Sequence, residues 1–196
     1  MKRLECMRVL AELLHGDDLL VTALGGTTDE WFSIRPTENT YANSCMGANV
    51  PVAIGLALAL PHRRVILLDT DGCQLMTMGA LATLGNVRPP NLRVFVFDNG
   101  GYGYTGGQAT ATSGRTDLAG VARAVGVENA ETVHDLASFE AAARRGLATE
   151  GLTYVVAKVE LIPGPFAGGG PIRHEQATQF MHYIERMEGV TLLGGV

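Results

Sequence analysis

Two stretches of sequence, VILLDTDGC at residues 65–73 and LRVFVFDNGG at residues 92–101, decide the fold of this chain. Each begins with a short run of β-branched, aliphatic or aromatic residues and ends in a carboxylate followed by turn residues, which is typical of a buried strand and the turn after it. Between them, residues 75–86 carry apolar side chains at helical spacing, and the Pro-Pro pair at residues 89–90 bars further helix. The pattern predicts a right-handed β-α-β unit with two parallel, neighbouring strands.

The carboxyl ends of these two strands are the place where a ligand is expected, because ligands of parallel α/β sheets bind there. Asp71 and Asn99 both follow a strand at this edge. A carboxylate and an amide oxygen suit Mg²⁺, which prefers oxygen ligands and shares them with phosphates. A glycine carbonyl in residues 100–101 offers a third oxygen, and the N–H groups of Gly72 and Cys73 open a helix toward a phosphate. The alternative is an ordinary Asp-Gly turn that binds nothing.

The rest of the chain predicts four more strands and five more helices around this unit. Strands are expected at residues 19–24, 40–43, 126–133 and 153–161, and helices at residues 4–14, 50–60, 117–125, 138–148 and 174–188. Ser138 is expected to cap its helix, and residues 100–116 to form a long polar loop. The alternation predicts one α/β domain over residues 1–196, a three-layer sandwich with a mostly parallel six-stranded sheet and a C-terminal helix at about residues 174–188.

A further turn belongs to the expected ligand edge. The sequence GGTT at residues 25–28 follows the first predicted strand, which places Gly25 and Thr27 beside the site. Thr28 is expected to cap a short helix that runs through Trp31.

Composition limits the class of protein. Of 196 residues, 46% are hydrophobic and 18% charged, which fits a globular chain around a buried parallel sheet. The net charge of −5, without a basic run, argues against nucleic acid or an anionic membrane as partner. Residues 50–60 are too short an apolar stretch to span a bilayer, and Glu5 and Glu12 do not fit a signal peptide. Three widely spaced cysteines fit a reducing cytoplasm.

Several isolated features carry less weight. The sequence GYGYTG at residues 101–106 matches the dinucleotide-binding pattern, but no helical periodicity follows it, which argues against NAD. The five histidines share no spacing, although His174 could reach the site from the C-terminal helix. Cys73 at a helix start is expected to have a lowered thiol pKa. Arg35 and Arg115 are possible contacts for an acidic substrate, although surface solvation is the simpler role.

The Asp-Gly and Asn-Gly turns, at their spacing, resemble the diphosphate–magnesium motif of thiamine-diphosphate enzymes. By that resemblance Asp71, Asn99 and the backbone oxygen of Gly101 hold the metal. Thr70 stands where the motif usually has glycine. The sequence SCMGANVPVAIG at residues 44–55 is similar to the segment before this motif in thiamine-diphosphate decarboxylases. There a bulky apolar residue, here Met46, wedges the cofactor into its bent form, and backbone groups of Ser44 and Met46 bind the aminopyrimidine ring.

A closer resemblance is carried by DNGGYGYTGGQ at residues 98–108, LGGTTDE at residues 24–30 and MGALAT at residues 78–83. These segments look like those of sulfopyruvate and phosphonopyruvate decarboxylases, and the similarity extends from about Arg3 to Leu161. The resemblance implies the diphosphate-binding (β) subunit of a hetero-oligomeric decarboxylase, with thiamine diphosphate and Mg²⁺ as cofactors and an acidic 3-substituted pyruvate as substrate. Gln108 and Thr110 are then candidate substrate contacts.

The family also needs a glutamate that protonates the aminopyrimidine, and this chain has none in a matching motif. The resemblance therefore implies a separate pyrimidine-binding (α) subunit that supplies it. Two alternatives remain open at this point: a cofactor-binding subunit of a 2-oxoacid oxidoreductase, although clustered cysteines for iron–sulfur ligation are lacking, and a cofactor- or nucleotide-binding module without catalytic activity.

Overall fold

Six parallel strands form one sheet in the computed structural model of the protein, which describes residues 1–164 and 170–192. All strands of the described residues, including two that lie outside this sheet, are in chain order β1 (Leu19–Thr22), β2 (Thr40–Ala42), β3 (Val65–Thr70), β4 (Leu92–Asp98), β5 (Gly101–Tyr102), β6 (Gln108–Ala109), β7 (Asn129–Val133) and β8 (Thr153–Lys158). The sheet has the order β2-β1-β3-β4-β8-β7, and β5 and β6 form a separate antiparallel hairpin. The predicted fold class is confirmed.

Helices cover both faces of the sheet. They are α1 (Arg3–Leu13), α2 (Gly26–Ile34), α3 (Asn49–Ala59), α4 (Asp71–Met76), α5 (Gly79–Val87), α6 (Leu118–Ala124), α7 (Leu136–Ala148) and α8 (Arg173–Glu188). One core packs α1, α2 and α7 against side chains such as Ile66 and Phe95, and the other packs α3, α5, α6 and α8 against Leu67 and Val94. Successive strand residues thus point to opposite layers. Among the described residues no helix has the length and hydrophobicity to cross a membrane.

The central pair β3 and β4 fixes the position of the expected ligand edge. Their register runs from Val65 opposite Leu92 to Thr70 opposite Phe97, and both strands are buried along almost their whole length. A strand buried on both faces cannot slip without moving apolar side chains out of the core. The residues after Thr70 and Phe97 therefore emerge side by side at the carboxyl edge.

The helix predicted at residues 75–86 is wrong in its start and its continuity. The chain becomes helical at once at Asp71, and the helix breaks at Thr77 and Met78 to give α4 and α5. Thr70 is the N-cap of α4, because its hydroxyl accepts a hydrogen bond from Cys73 N–H at 3.3 Å. Its backbone is extended, with φ −131° and ψ 158°. A residue with a side chain is therefore accommodated where the family motif usually has glycine.

Other predicted boundaries also shift. Ser138 does not cap α7: Asp135 does, and Ser138 completes the capping box from the third helical position. Thr28 does not cap α2, which already begins at Gly26 after an N-cap glycine with φ 87°. Two expected strands are shorter, at Asn129–Val133 and Thr153–Lys158. The predicted loop at residues 100–116 contains the β5–β6 hairpin and two short 3₁₀ turns.

We predict that Gly85→Ala destabilises the protein by about 2 kcal/mol. A β-carbon at Gly85 in α5 would lie 1.9 Å from the backbone oxygen of Val125, so α5 and the end of α6 must separate. The matched control is Gly55→Ala in the interior of α3, where a β-carbon would meet nothing within 4 Å. That change should stabilise by up to about 1 kcal/mol through helix propensity. Urea unfolding with equal losses for both variants would contradict the close packing of α5 on α6.

Candidate active site

A cavity of about 410 Å³ opens at the carboxyl ends of β1, β3 and β4. The strands β1 and β3 are neighbours, but α2, which follows β1, and α5, which follows β3 after the short α4, pack in different cores on opposite faces of the sheet. This is the topological switch point of an α/β sheet, where a crevice is left between the two chain directions. The turn at residues 25–27 and the segment at residues 70–73 form facing walls of the cavity.

Thr27 lines this cavity and carries a hydroxyl without a hydrogen-bond partner among the described residues. The residue is fully buried, and its Oγ1 atom has no hydrogen-bond partner in the described chain. The next residue differs, because Thr28 Oγ1 donates to the Ala23 carbonyl at 2.7 Å and contacts the Thr22 hydroxyl at 2.8 Å. A buried hydroxyl without a partner costs free energy. Thr27 therefore fits a cavity that receives a polar ligand.

Asp71 lies on the opposite wall, at the first position of α4 and 1% exposed. Burial raises the pKa of its carboxyl group, and Asp98 nearby raises it further, whereas hydrogen bonds from Thr110 and Thr112 lower it. Thr110 Oγ1 donates to Asp71 Oδ2 at 2.6 Å, and the backbone N–H of Asn99 also bonds to the carboxylate. These donors fix the orientation of a carboxylate whose charge needs compensation.

A chain of polar contacts continues from Asp71 to the surface. Thr112 Oγ1 lies 3.1 Å from Asp71 Oδ2 and 2.7 Å from Asp98 Oδ1. The Lys158 ammonium group lies 2.5 Å from Asp98 Oδ2 and is about one third exposed. Asp98 is thus neutralised by Lys158, whereas the donors that bond to Asp71 within the described residues, Thr110, Thr112 and the Asn99 backbone, are neutral. A cation at Asp71 would complete the charge balance of this edge.

Asn99 and Gly101 follow β4 at the same edge of the sheet and carry further oxygen atoms. Both line the cavity, and the Asn99 side-chain oxygen accepts a hydrogen bond from Gly101 N–H at 3.0 Å. That oxygen keeps a second lone pair. Within residues 1–164 and 170–192 no three His, Cys, Asp or Glu side chains cluster in a way that could hold a metal. The donor set is therefore one carboxylate with amide and carbonyl oxygens, which suits Mg²⁺ more than a transition metal.

Two glycines let other groups approach the cavity closely. A β-carbon at Gly25 would lie 3.3 Å from the Tyr104 ring, and the residue has φ 87°, where other residues are strained. A β-carbon at Gly72 would lie 2.8 Å from the Tyr102 ring. The walls that carry Thr27 and Asp71 therefore offer backbone, not side chains, at these positions.

Cys73 follows Gly72 on the cavity wall, but the expectation of a lowered thiol pKa is wrong. Burial raises the pKa of Cys73 to about 11, and Asp69 nearby adds to the effect. Because the thiol stays protonated, Cys73 offers no reactive thiolate, and its backbone N–H already donates to the Thr70 hydroxyl at 3.3 Å.

The other predicted site residues divide between the cavity and its surroundings. Met46 lines the cavity, whereas Ser44 is exposed and lies outside the lining. Thr110 reaches the cavity only through Asp71, and Gln108 is exposed and bonds to Thr105 within its own loop.

The arginines expected at the site lie elsewhere. Arg35 donates to the carbonyls of Ala11, Leu14 and His15 at the end of α1, and Arg115 lines a different cavity at the ends of β4 and β8. His174 is exposed and does not line the cavity.

Arginines that the sequence did not single out do reach the cavity. Arg3 and Arg173 both line it. Arg3 binds Glu30 with two parallel hydrogen bonds of 2.9 Å and 2.8 Å, and Arg173 binds Asp29. In the sequence, only one feature pointed to Arg3: it lies at the start of the amphipathic first helix, where the similarity to the family begins. Arg173 had none, because its approach depends on how α8 packs across β2.

The mouth of the cavity is apolar and open to solvent. Leu24 is 38% exposed, Tyr104 48% and Ile162 55%, and all three line the cavity. No glutamate or histidine belongs to the lining in the part of the chain that the structure describes. The cavity is therefore open on one side, and its exposed apolar residues form the kind of surface that another protein surface can cover.

Comparison with known proteins gives a consistent assignment. Residues 26–157 match the family described as thiamine pyrophosphate enzyme, C-terminal TPP binding domain. Sulfopyruvate decarboxylase subunit beta of Methanocaldococcus jannaschii is 31% identical over 158 residues, which cover 80% of this chain and 83% of that protein. Phosphonopyruvate decarboxylase of Streptomyces viridochromogenes is 37% identical over 83% of this chain but only 40% of that protein.

The solved structure of benzoylformate decarboxylase from Polynucleobacter necessarius has the same fold, with a TM-score of 0.72 at 19% identity over 85% of this chain. The chain spans about a third of the length of that protein, at 34%. The chain therefore belongs to the thiamine pyrophosphate enzymes, and within them to the group that contains the sulfopyruvate decarboxylase beta subunits and the phosphonopyruvate decarboxylases.

Proposed function

We propose that this chain is the diphosphate-binding subunit of a thiamine-diphosphate- and Mg²⁺-dependent 2-oxoacid decarboxylase. The proposed substrate is an acidic 3-substituted pyruvate, such as sulfopyruvate or phosphonopyruvate. The observation that carries the proposal is the unpartnered, fully buried hydroxyl of Thr27, a residue that lines the same cavity as Asp71. The names of the relatives support the reaction class.

The residues of the cavity fit the cofactor. Asp71, Asn99 and the carbonyl oxygen of Gly101 would hold Mg²⁺, because they offer the hard oxygen ligands that this ion prefers. The Thr27 hydroxyl and the backbone N–H groups around Gly25, Gly72 and Cys73 would bind the diphosphate, with the Tyr102 and Tyr104 rings packed beside the two glycines. Met46 lines the outer part of the same cavity, where it would support the thiazolium ring.

When bound, thiamine diphosphate supplies an electron-accepting ring that allows a 2-oxo acid to lose carbon dioxide. The contribution of this chain is to bind and orient. Asp71 is held by Thr110 and by the Asn99 backbone, so the metal position is set before any ligand arrives. The apolar rim of Leu24, Tyr104 and Ile162 would exclude water once it is covered.

We further propose that a pyrimidine-binding subunit covers this rim. The activating glutamate of the family has no counterpart in the cavity lining, and Glu30, the nearest in sequence to the site, is fully engaged by Arg3. Three sulfopyruvate decarboxylase relatives are named subunit beta, which supports a two-chain enzyme. The three free cysteines fit a reducing compartment, so we place the enzyme in the cytoplasm.

Thr27→Val should weaken thiamine diphosphate binding about tenfold, since one hydrogen bond to a charged group is lost. The unliganded protein should be at least as stable as the wild type, because an unpaired buried hydroxyl is replaced by a methyl group of the same shape. Thr153→Val is the matched control, because its hydroxyl is also buried and unpaired but lies at the amino end of β8. Titration calorimetry with equal affinities for the two variants would exclude Thr27 as a ligand.

Asp71→Asn should lower the affinity for Mg²⁺ in the presence of thiamine diphosphate by at least about 100-fold, because a neutral amide replaces the charged metal ligand. Asp17→Asn, at the exposed amino edge of the sheet, serves as the control for a lost charge. Both affinities can be measured by titration of Mn²⁺ with paramagnetic resonance. An unchanged metal affinity in Asp71→Asn contradicts the proposed site.

The chain alone should release no carbon dioxide from sulfopyruvate or phosphonopyruvate, and mixing it with the pyrimidine-binding subunit should start the release. The physical reason is the missing acid for the aminopyrimidine in this half of the site. A coupled assay for carbon dioxide distinguishes the two states. Sustained turnover of a 2-oxo acid by the isolated chain would show that the second subunit is not needed.

A further inference from the structure

Arg173, the first residue of α8, lines the cavity and has one donor nitrogen that makes no hydrogen bond within the described residues. Arg173 donates from Nη2 to Asp29 Oδ1 at 2.9 Å. Its other terminal nitrogen, Nη1, is shielded from solvent and has no hydrogen-bond partner among the described residues. Arg173 is among the residues that line the same cavity as Thr27 and Asp71, and Nη1 lies just beneath its surface. A buried guanidinium donor without a partner is costly, so it marks a place where an acceptor is expected.

The contact with Asp29 fixes where this donor lies. Asp29 is in the first turn of α2, just after Gly25 and Thr27, and its second oxygen accepts from the Tyr104 hydroxyl. Asp29 therefore orients Arg173 beside the turn that carries the unpaired Thr27 hydroxyl. Two residues from separate elements that line one cavity, Arg173 and Thr27, thus each carry a buried donor without a partner in the described part of the chain.

Arg3 differs from Arg173 in the use of its donors. Its Nε and Nη2 groups are both bound to the carboxylate of Glu30, in the two-pronged geometry that saturates one edge of a guanidinium group. Of the two arginines in the lining, Arg173 is the one with a shielded donor that lacks a partner. Arg173 is therefore the better candidate for contact with a ligand.

The position of Arg173 does not depend on its own ion pair alone. Further along α8, Gln176 donates to the Thr40 carbonyl at 3.1 Å, and Phe180 and Ile184 are buried in the core with Phe180 packed on Tyr41. These contacts anchor the helix on the edge strand β2. The start of α8 is consequently a rigid support for a ligand-binding side chain.

We propose that Arg173 binds the diphosphate of the cofactor through Nη1, so that the C-terminal helix completes the oxyanion site formed by the turn after β1. This inference rests on the proposed function. An arginine suits the task, because its planar donors match phosphate oxygens and its charge offsets theirs. Arg173 lies outside residues 26–157, the part that matches the family, so this contact is a property of the chain beyond the shared domain.

The test measures binding of magnesium pyrophosphate and of thiamine diphosphate to the full chain by titration calorimetry. Arg173→Met should weaken both about 10- to 100-fold, as expected for a lost charge-assisted hydrogen bond, and Arg173→Lys should lose less. Arg186→Met is the matched control, since Arg186 is on the same helix, roughly 20 Å further along, in an exposed pair with Glu38. It should bind both ligands like the wild type.

Measuring the same substitution in an Asp29→Asn protein shows whether Arg173 contacts the diphosphate directly or only neutralises the charge of Asp29. If Arg173 acted only by cancelling that negative charge, Arg173→Met would have no effect in an Asp29→Asn protein. We expect a loss of about tenfold or more to persist in that background, because the contact to the diphosphate is direct. Disappearance of the loss would overturn the proposal, and so would equal affinities in Arg173→Met and Arg186→Met.

Binding of sulfoacetate shows whether Arg173 contacts the diphosphate of the cofactor or the acidic tail of a substrate. If Arg173→Met weakens sulfoacetate binding and leaves pyrophosphate unchanged, the assignment to the diphosphate is overturned. If Arg173→Met binds thiamine diphosphate as tightly as the wild type does, this inference is refuted and the proposed function still stands. Wild-type protein that binds neither thiamine diphosphate nor pyrophosphate refutes both.

Discussion

The parallel register of β3 and β4 is the constraint on which the site depends. Because Thr70 lies opposite Phe97, the next residues, Asp71 and Asp98, leave the sheet as neighbours, and both are almost completely buried. Two carboxylates at such an edge repel each other, and the raised pKa of Asp71 reflects both burial and this proximity. The structure must therefore surround the edge with donors and positive charge, and the surrounding loops do so.

The segment after β4 provides most of these donors. Its hairpin returns the chain to place Thr110 and Thr112 over the two carboxylates, and Lys158 at the end of β8 neutralises Asp98. Asp71 is left with hydrogen bonds but without a cation from its own chain among those contacts. A bound Mg²⁺ would supply a positive charge beside Asp71. Its phosphate ligand would in turn offer an acceptor to the unpaired Thr27 hydroxyl.

Sequence patterns were informative where a single element decides the outcome. Buried strands with carboxylates at their ends predicted the six-stranded sheet and placed Asp71 and Asn99 at one edge. They failed where tertiary contacts decide. The helix breaks at Thr77, whose hydroxyl donates to the distant Gly47 carbonyl, and the raised thiol pKa of Cys73 depends on burial that outweighs its position at a helix start. The approach of Arg173 to Asp29 joins residues far apart in sequence, which periodicity cannot indicate.

The central claim is that the edge of β3 and β4 holds a divalent cation together with a diphosphate. Crystals of the chain grown with Mn²⁺ and thiamine diphosphate test it most directly, through the anomalous scattering of the metal. The account predicts one strong peak about 2.1 Å from oxygens of Asp71, Asn99 and Gly101, with diphosphate density extending toward Thr27. A metal bound elsewhere, or diphosphate density that avoids the turn after β1, would contradict it.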